Sequence, residues 1–181
     1  MFGNIKLLKS HTKSAMAAAG LLALAALPST VEAATGPFAA LSGSWSGGGT
    51  ITMSSGAKER IRCRARYNVG GSGSSLDLTL RCASDSFTFE LQSNASYSNG
   101  AVSGTWSETT RGVGGSIEGS GNASQIKVRV SGIISASLAV NTVADQQSIS
   151  IQAPGTEMQH VAISLSRKQS VQVTSLSDGS K

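Results

Sequence analysis

Two runs of the chain decide its fold: Glu59-Arg60-Ile61-Arg62-Cys63-Arg64-Ala65-Arg66-Tyr67-Asn68-Val69 and Leu76-Asp77-Leu78-Thr79-Leu80-Arg81-Cys82. In each, apolar and polar residues alternate strictly, which is the period of a β-strand with one buried face. Between them lies Gly70-Gly71-Ser72-Gly73, whose glycines tolerate the positive φ of a tight reversal. A turn centred on Gly71–Ser74 sets Cys63 opposite Cys82, Ala65 opposite Leu80, Tyr67 opposite Leu78 and Val69 opposite Leu76. A slip of one residue would break all four matches together. Directly opposed residues come close enough for a disulfide. The same register therefore predicts a Cys63–Cys82 bridge, structural in role because both cysteines lie on the buried face. A short turn at Ser84-Asp85 then sets Cys82 against Phe87, Leu80 against Phe89 and Leu78 against Leu91.

Outward from this hairpin the period of two continues through Trp45/Ile51/Met53, Val102/Gly104/Trp106, Ile126/Val128/Val130, Ile134 to Val140, Ile149/Ile151 and Val161/Ile163/Leu165. Turn-formers interrupt it, among them Asn99-Gly100, Gly121-Asn122 and Ala153-Pro154-Gly155. No helical stripe occurs beyond Ala40. The pattern predicts an all-β protein, an antiparallel meander of about eight to ten strands closing into an up-and-down barrel, with a β-sandwich as the alternative. Composition agrees: 14% charged and 4% aromatic residues beside 21 glycines disfavour a helical bundle. A mean hydropathy of +0.01 disfavours disorder. The rings and thioethers in the inward phase, Trp45, Met53, Tyr67, Phe87, Phe89 and Trp106, form the candidate interior. Beside small Gly and Ala positions they leave room for a small apolar or amphiphilic ligand.

The N-terminus reads as an address. Lys6, Lys9 and Lys13 precede an unbroken run of Ala, Gly, Leu and Met from Ala15 to Leu27, and Val31-Glu32-Ala33 has the small residues of a cleavage site. The apolar run is shorter than the roughly 20 residues of a spanning helix. Residues 1–33 are thus expected to be a cleavable secretory signal peptide, 34–40 a short linker, 41–168 one barrel domain without a transmembrane segment, and 169–181 a flexible polar tail. Removing the signal lowers the formal charge from +5 to +3. An even cysteine count fits a periplasmic or secreted location.

Alternation also exposes a column of cations. Arg60, Arg62, Arg64 and Arg66 share the outer face, with Arg81 directly across from Arg64 and only Asp77 and Glu90 as acids nearby. One role for such residues is to guard a sheet edge against association. The other is a candidate anion-binding face, since the guanidinium fork matches phosphate and carboxylate. For an exported bacterial protein the anions are an acidic glycan, lipopolysaccharide or anionic lipid. Nucleic acid is not expected, because no aromatic residues interleave the cations.

Catalytic chemistry is poorly represented. The single histidine outside the signal region, His160, is placed with Met158 and Ala162 on the outer face. Glu108 falls in the inward phase two residues beyond Trp106, at the rim where its strand ends. No Gly-x-Ser-x-Gly elbow, Cys/His cluster or phosphate loop is present. No enzyme activity, metal or cofactor is expected; a purely structural role is the third reading of the chain.

The near copies Ser42-Gly43-Ser44-Trp45-Ser46 and Ser103-Gly104-Thr105-Trp106-Ser107 put an indole after a glycine that lets the strand bend. With the first of them, the meander, and an arginine ending the last inward strand (Arg167, in phase with Leu165), residues 41–167 resemble the calycin pattern of lipocalins and avidins. That resemblance implies a calycin-like barrel in which Trp45 and Arg167 meet at the closed end. The chain lacks a lipocalin-like Thr-Asp-Tyr motif and an avidin-like set of biotin contacts, so no ligand is carried over. The stretches Phe38 to Gly49, Glu59 to Tyr67 and Leu80 to Ser84 are similar to small exported proteins of alphaproteobacteria, particularly rhizobial ones, which implies compartment alone. Expressed with its own leader in such a host, the protein should be recovered with Ala34 as its first residue; intact-mass measurement of the exported form checks this.

Overall fold

The computed structural model describes residues 35–168, so the proposed signal peptide and polar tail lie outside the described residues. Ten antiparallel strands follow one another: β1 (Gly43–Met53), β2 (Lys58–Gly70), β3 (Ser75–Ala83), β4 (Thr88–Ser98), β5 (Ala101–Glu108), β6 (Val113–Gly121), β7 (Gln125–Gly132), β8 (Ala136–Val143), β9 (Gln146–Gln152) and β10 (Met158–Arg167). Each pairs with its neighbours in sequence, and β1 pairs with β10, so the sheet closes into an up-and-down barrel rather than a sandwich. Inward apolar side chains from all ten strands form one core, and the alternating outward side chains face solvent, as the binary pattern requires.

The β2–β3 register is the one derived from the sequence: Cys63 faces Cys82, and Ala65, Tyr67 and Val69 face Leu80, Leu78 and Leu76. The cysteines are joined across 4.1 Å between Cα atoms and are 2% exposed. The β3–β4 register differs by two residues from expectation. Cys82 faces Phe89, Leu80 faces Leu91 and Leu78 faces Ser93. The turn is longer than Ser84-Asp85 because the Ser84 N–H closes on the Phe87 carbonyl and the Ser86 N–H donates to the Glu59 carboxylate at 2.8 Å. A shift of two leaves the inward face unchanged, but Phe87 becomes a turn residue.

Two further expectations are corrected. Of the segment 34–40 expected as a linker, residues 36–40 are held to the barrel. The Gly36 and Phe38 N–H groups bond the Ser72 and Gly73 carbonyls of the β2–β3 turn, and Phe38 and Leu41 are 1% and 3% exposed. Met158 does not share the outer face with His160. The register with β1 shifts between Thr52 and Met53, and this bulge turns Met158 against the core.

Some strand positions admit only glycine. A Cβ on Gly47 of β1 would lie 2.0 Å from the Ser164 carbonyl oxygen, and one on Gly115 of β6 would lie 1.7 Å from that of Ser131. The neighbouring backbone occupies the volume a side chain would need.

Replacing both Cys63 and Cys82 by Ser should lower stability by about 3 kcal/mol, the loop-closure value for their separation of 19 residues. Urea unfolding of the double variant measures it.

Candidate functional site

The two ends of the barrel are built differently. At one end Trp45 is 1% exposed, its Nε1–H donating to the Leu41 carbonyl at 2.7 Å, and it meets Tyr67 edge to face at 6.4 Å between centroids. Arg167, its cross-strand partner, holds its guanidinium 4.3 Å from the Trp45 ring centroid. That guanidinium also donates to the Ala40 carbonyl at 2.6 Å, to the Ser42 carbonyl, and to Asp145 at 2.8 Å. The geometry is that implied by the calycin resemblance: a cation over the indole pins the incoming segment and the β8–β9 turn to one plug. Below the plug the Tyr67 hydroxyl donates to Gln147 at 2.7 Å, and Gln147 donates to Thr142 at 3.3 Å. Burial raises the Tyr67 pKa further above the phenol range than the Gln147 bond lowers it, so the phenol stays protonated. Gln147 and Thr142 were not singled out from the sequence, although both lie in the inward phase of their strands, with Ile149 and Val140.

The opposite end, where the β1–β2, β3–β4, β5–β6, β7–β8 and β9–β10 turns gather, has no such plug among the described residues. Its inner wall carries Met53, Phe87, Phe89, Leu91, Val113 and Ile151, all only half-buried. Above them the β7–β8 turn presents Ile133, 77% exposed, and Ile134, 39% exposed. Of the six expected interior residues, then, Trp45, Tyr67 and Trp106 are buried, while Met53, Phe87 and Phe89 are half-buried and pack against the core at this end. Trp106 borders this end, its Nε1–H donating to the Ser131 carbonyl at 3.2 Å.

Glu108, the last residue of β5, is 7% exposed. Its carboxylate accepts the N–H groups of Glu90, Thr110 and Arg111 at 3.0, 3.1 and 2.9 Å, and the Thr110 hydroxyl. Burial opposes ionisation, but these hydrogen bonds outweigh it, and the pKa is lowered to about 2. Glu108 is therefore an ionised clasp tying the β5–β6 turn to β4, and not a proton donor at neutral pH. His160 is half-buried on the outer wall, its Nε2 3.3 Å from the Ser150 hydroxyl. Among the described residues no group of three His, Cys, Asp or Glu side chains is placed to hold a metal.

On the outer wall Arg60, Arg62, Arg64, Arg66 and Arg81 are all exposed. Arg81 pairs with Glu90 at 3.0 Å, and among the described residues the other four have no salt-bridge partner. Two hollows open on this outer surface. One, of about 400 Å³, is lined by Ser44, Arg64, Arg66, Thr79, Arg81 and Lys168. The other, of about 610 Å³, crosses β6 to β9 and includes Glu118, Lys127, Arg129 and Ser150. Among the described residues no helix is long and apolar enough to cross a membrane. The disulfide is compatible with a location outside the cytoplasm.

No family model and no curated protein matches the chain. Among solved structures it is similar to the crystal structure of Rv2717c from M. tuberculosis, with 14% identity over 72% of this chain and 94% of that one and a TM-score of 0.57. Likeness at that identity concerns the fold.

The Glu108 clasp sets a pH dependence. Its folded pKa lies below the ordinary 4.5, so its contribution is complete above that pH and is lost as pH falls toward about 2. Glu108→Gln should be less stable than wild type near neutrality, with the two converging toward the lower pH; thermal melts across that range are the measurement.

Proposed function

We propose that this protein is a non-enzymatic β-barrel, periplasmic or secreted, that takes the apolar part of a small amphiphilic molecule at its open end. The carrying observation is the asymmetry of the barrel. One end is sealed by Phe38, Trp45 and Arg167, whereas the other leaves inner-wall apolar side chains half-buried beneath Ile133 and Ile134. Half-buried apolar surface ringed by turns has a driving force for accepting a ligand, at roughly 25 cal/mol for each Å² covered. The deeper lumen is occupied by Trp45, Tyr67 and the Gln147–Thr142 pair, which favours a ligand that enters the mouth over one swallowed whole. A polar head would remain among Ser54, Ser86, Thr110 and Thr156 of the surrounding turns. Export is supported by the leader-like N-terminus and the disulfide.

The two tryptophans provide the test. In a Trp45→Phe variant, Trp106 is the sole indole and borders the mouth. Titration with the apolar dye N-phenyl-1-naphthylamine should quench Trp106 emission at one dye per barrel. Phe89→Ser should weaken that binding about tenfold, the consequence of losing about 1.4 kcal/mol of apolar contact. Unchanged Trp106 emission at dye saturation, or equal affinity in Phe89→Ser, would sink the reading.

A further inference from the structure

We propose that the outer wall of β1–β3 carries a second and separate site, for adjoining phosphate oxyanions, formed by Arg64, Arg66, Arg81 and Lys168 with the hydroxyls of Ser44 and Thr79. Closure of the barrel removes the simplest competing explanation. Arginines that protect a free sheet edge have no work in β2, which is hydrogen-bonded on both sides, to β1 and to β3. Their retention there has a cost, because Arg64 and Arg81 face each other directly across the ladder, and like charges so placed are destabilising.

The register turns these residues into a compact grid. Lys168 follows the Trp45–Arg167 pair and donates its backbone N–H to Ser44; Ser44 faces Arg66, and Arg66 faces Thr79. In the adjacent row Ser46 faces Arg64, Arg64 faces Arg81, and Arg81 faces Glu90. Rows two residues apart along a strand are separated by about 6.7 Å, and neighbours within a row by about 5 Å. The four cations border one hollow of about 400 Å³. Among the described residues two carboxylates adjoin this grid: Glu90 pairs with Arg81, and Asp77, in the row beyond Thr79, accepts from the Asn94 amide.

This arrangement selects the ligand by charge density. Four cations around so small a volume are matched by several negative charges on neighbouring atoms, which a diphosphate or two vicinal phosphate esters supply. A glycan with one carboxylate per sugar spreads its charge more widely. Guanidinium groups receive phosphate oxygens in pairs, and hydroxyls at the side donate a further bond. The shared chemistry is the clustered phosphate; its carrier is either a soluble phosphate ester or a lipid headgroup.

Inorganic pyrophosphate is the probe, titrated calorimetrically into the disulfide-intact protein at low salt. Binding should be saturable and should weaken steeply with added sodium chloride. Arg64→Gln/Arg66→Gln, two outward substitutions with little bearing on the core, should weaken it by at least about tenfold, one lost charge-assisted hydrogen bond being worth that much. Lys127→Gln/Arg129→Gln removes the same charge from the other hollow and should leave affinity unchanged. Circular dichroism confirms that both variants fold. Vesicles of phosphatidylcholine with phosphatidylinositol 4,5-bisphosphate, whose headgroup carries two vicinal phosphate monoesters, separate the two carriers. Co-sedimentation competed by pyrophosphate assigns a lipid headgroup, and pyrophosphate binding without co-sedimentation assigns a soluble ester. Absence of pyrophosphate binding overturns the proposal. So does equal weakening in both double variants, or vesicle binding that pyrophosphate does not compete. Neither result bears on the mouth, which lies inside the barrel.

Discussion

Everything in this molecule depends on β1 pairing with β10. That seam turns a ten-strand meander into a barrel, and it is fastened where Arg167 stacks over Trp45, its partner across the ladder. The guanidinium has three tasks in one position. It covers the indole face, takes up the carbonyls of Ala40 and Ser42, and meets Asp145. A sheet left open here would present two unpaired edges and an uncovered apolar face. With the seam closed, every strand has two neighbours and the inward apolar side chains share one core.

Closure also distributes roles over the surface. Because the chain enters and leaves near the same end, the segment containing Phe38 and the last residues of β10 plug that end. Among the described residues the other end is bounded by hairpin turns. On the outside, closure leaves an arginine column with no edge to guard.

Much of this was legible in the primary structure, and for a definite reason. In β2 and β3 the alternation is strict, the cysteines are in phase, and the intervening glycines permit only a short turn, so one register satisfies every constraint. The β3–β4 hairpin was less legible. A shift of two residues preserves the inward face, so apolar matching does not distinguish Phe87 from Phe89 as the partner of Cys82. A carboxylate from β2, that of Glu59, holds the longer turn, and no local pattern contains that information. Met158 was misplaced for a similar reason, since a bulge changes phase without leaving a mark in the alternation. Glu108 could be placed at a strand end, but its hydrogen bonds to Thr110, Arg111 and Glu90 come from a fold-back that composition does not encode.

The sequence by itself determined the inward phase of most strands, that two cysteines meet, and that five arginines share one face. These follow from the period of a strand, which is a property of the local backbone. Only the tertiary structure decided that the sheet closes, that Phe38 belongs to the core, and that the two ends differ. It also decided that Lys168 joins the arginines. Those facts concern groups brought together from opposite ends of the chain, where no periodicity links them and only the geometry of the closed ring sets the distance.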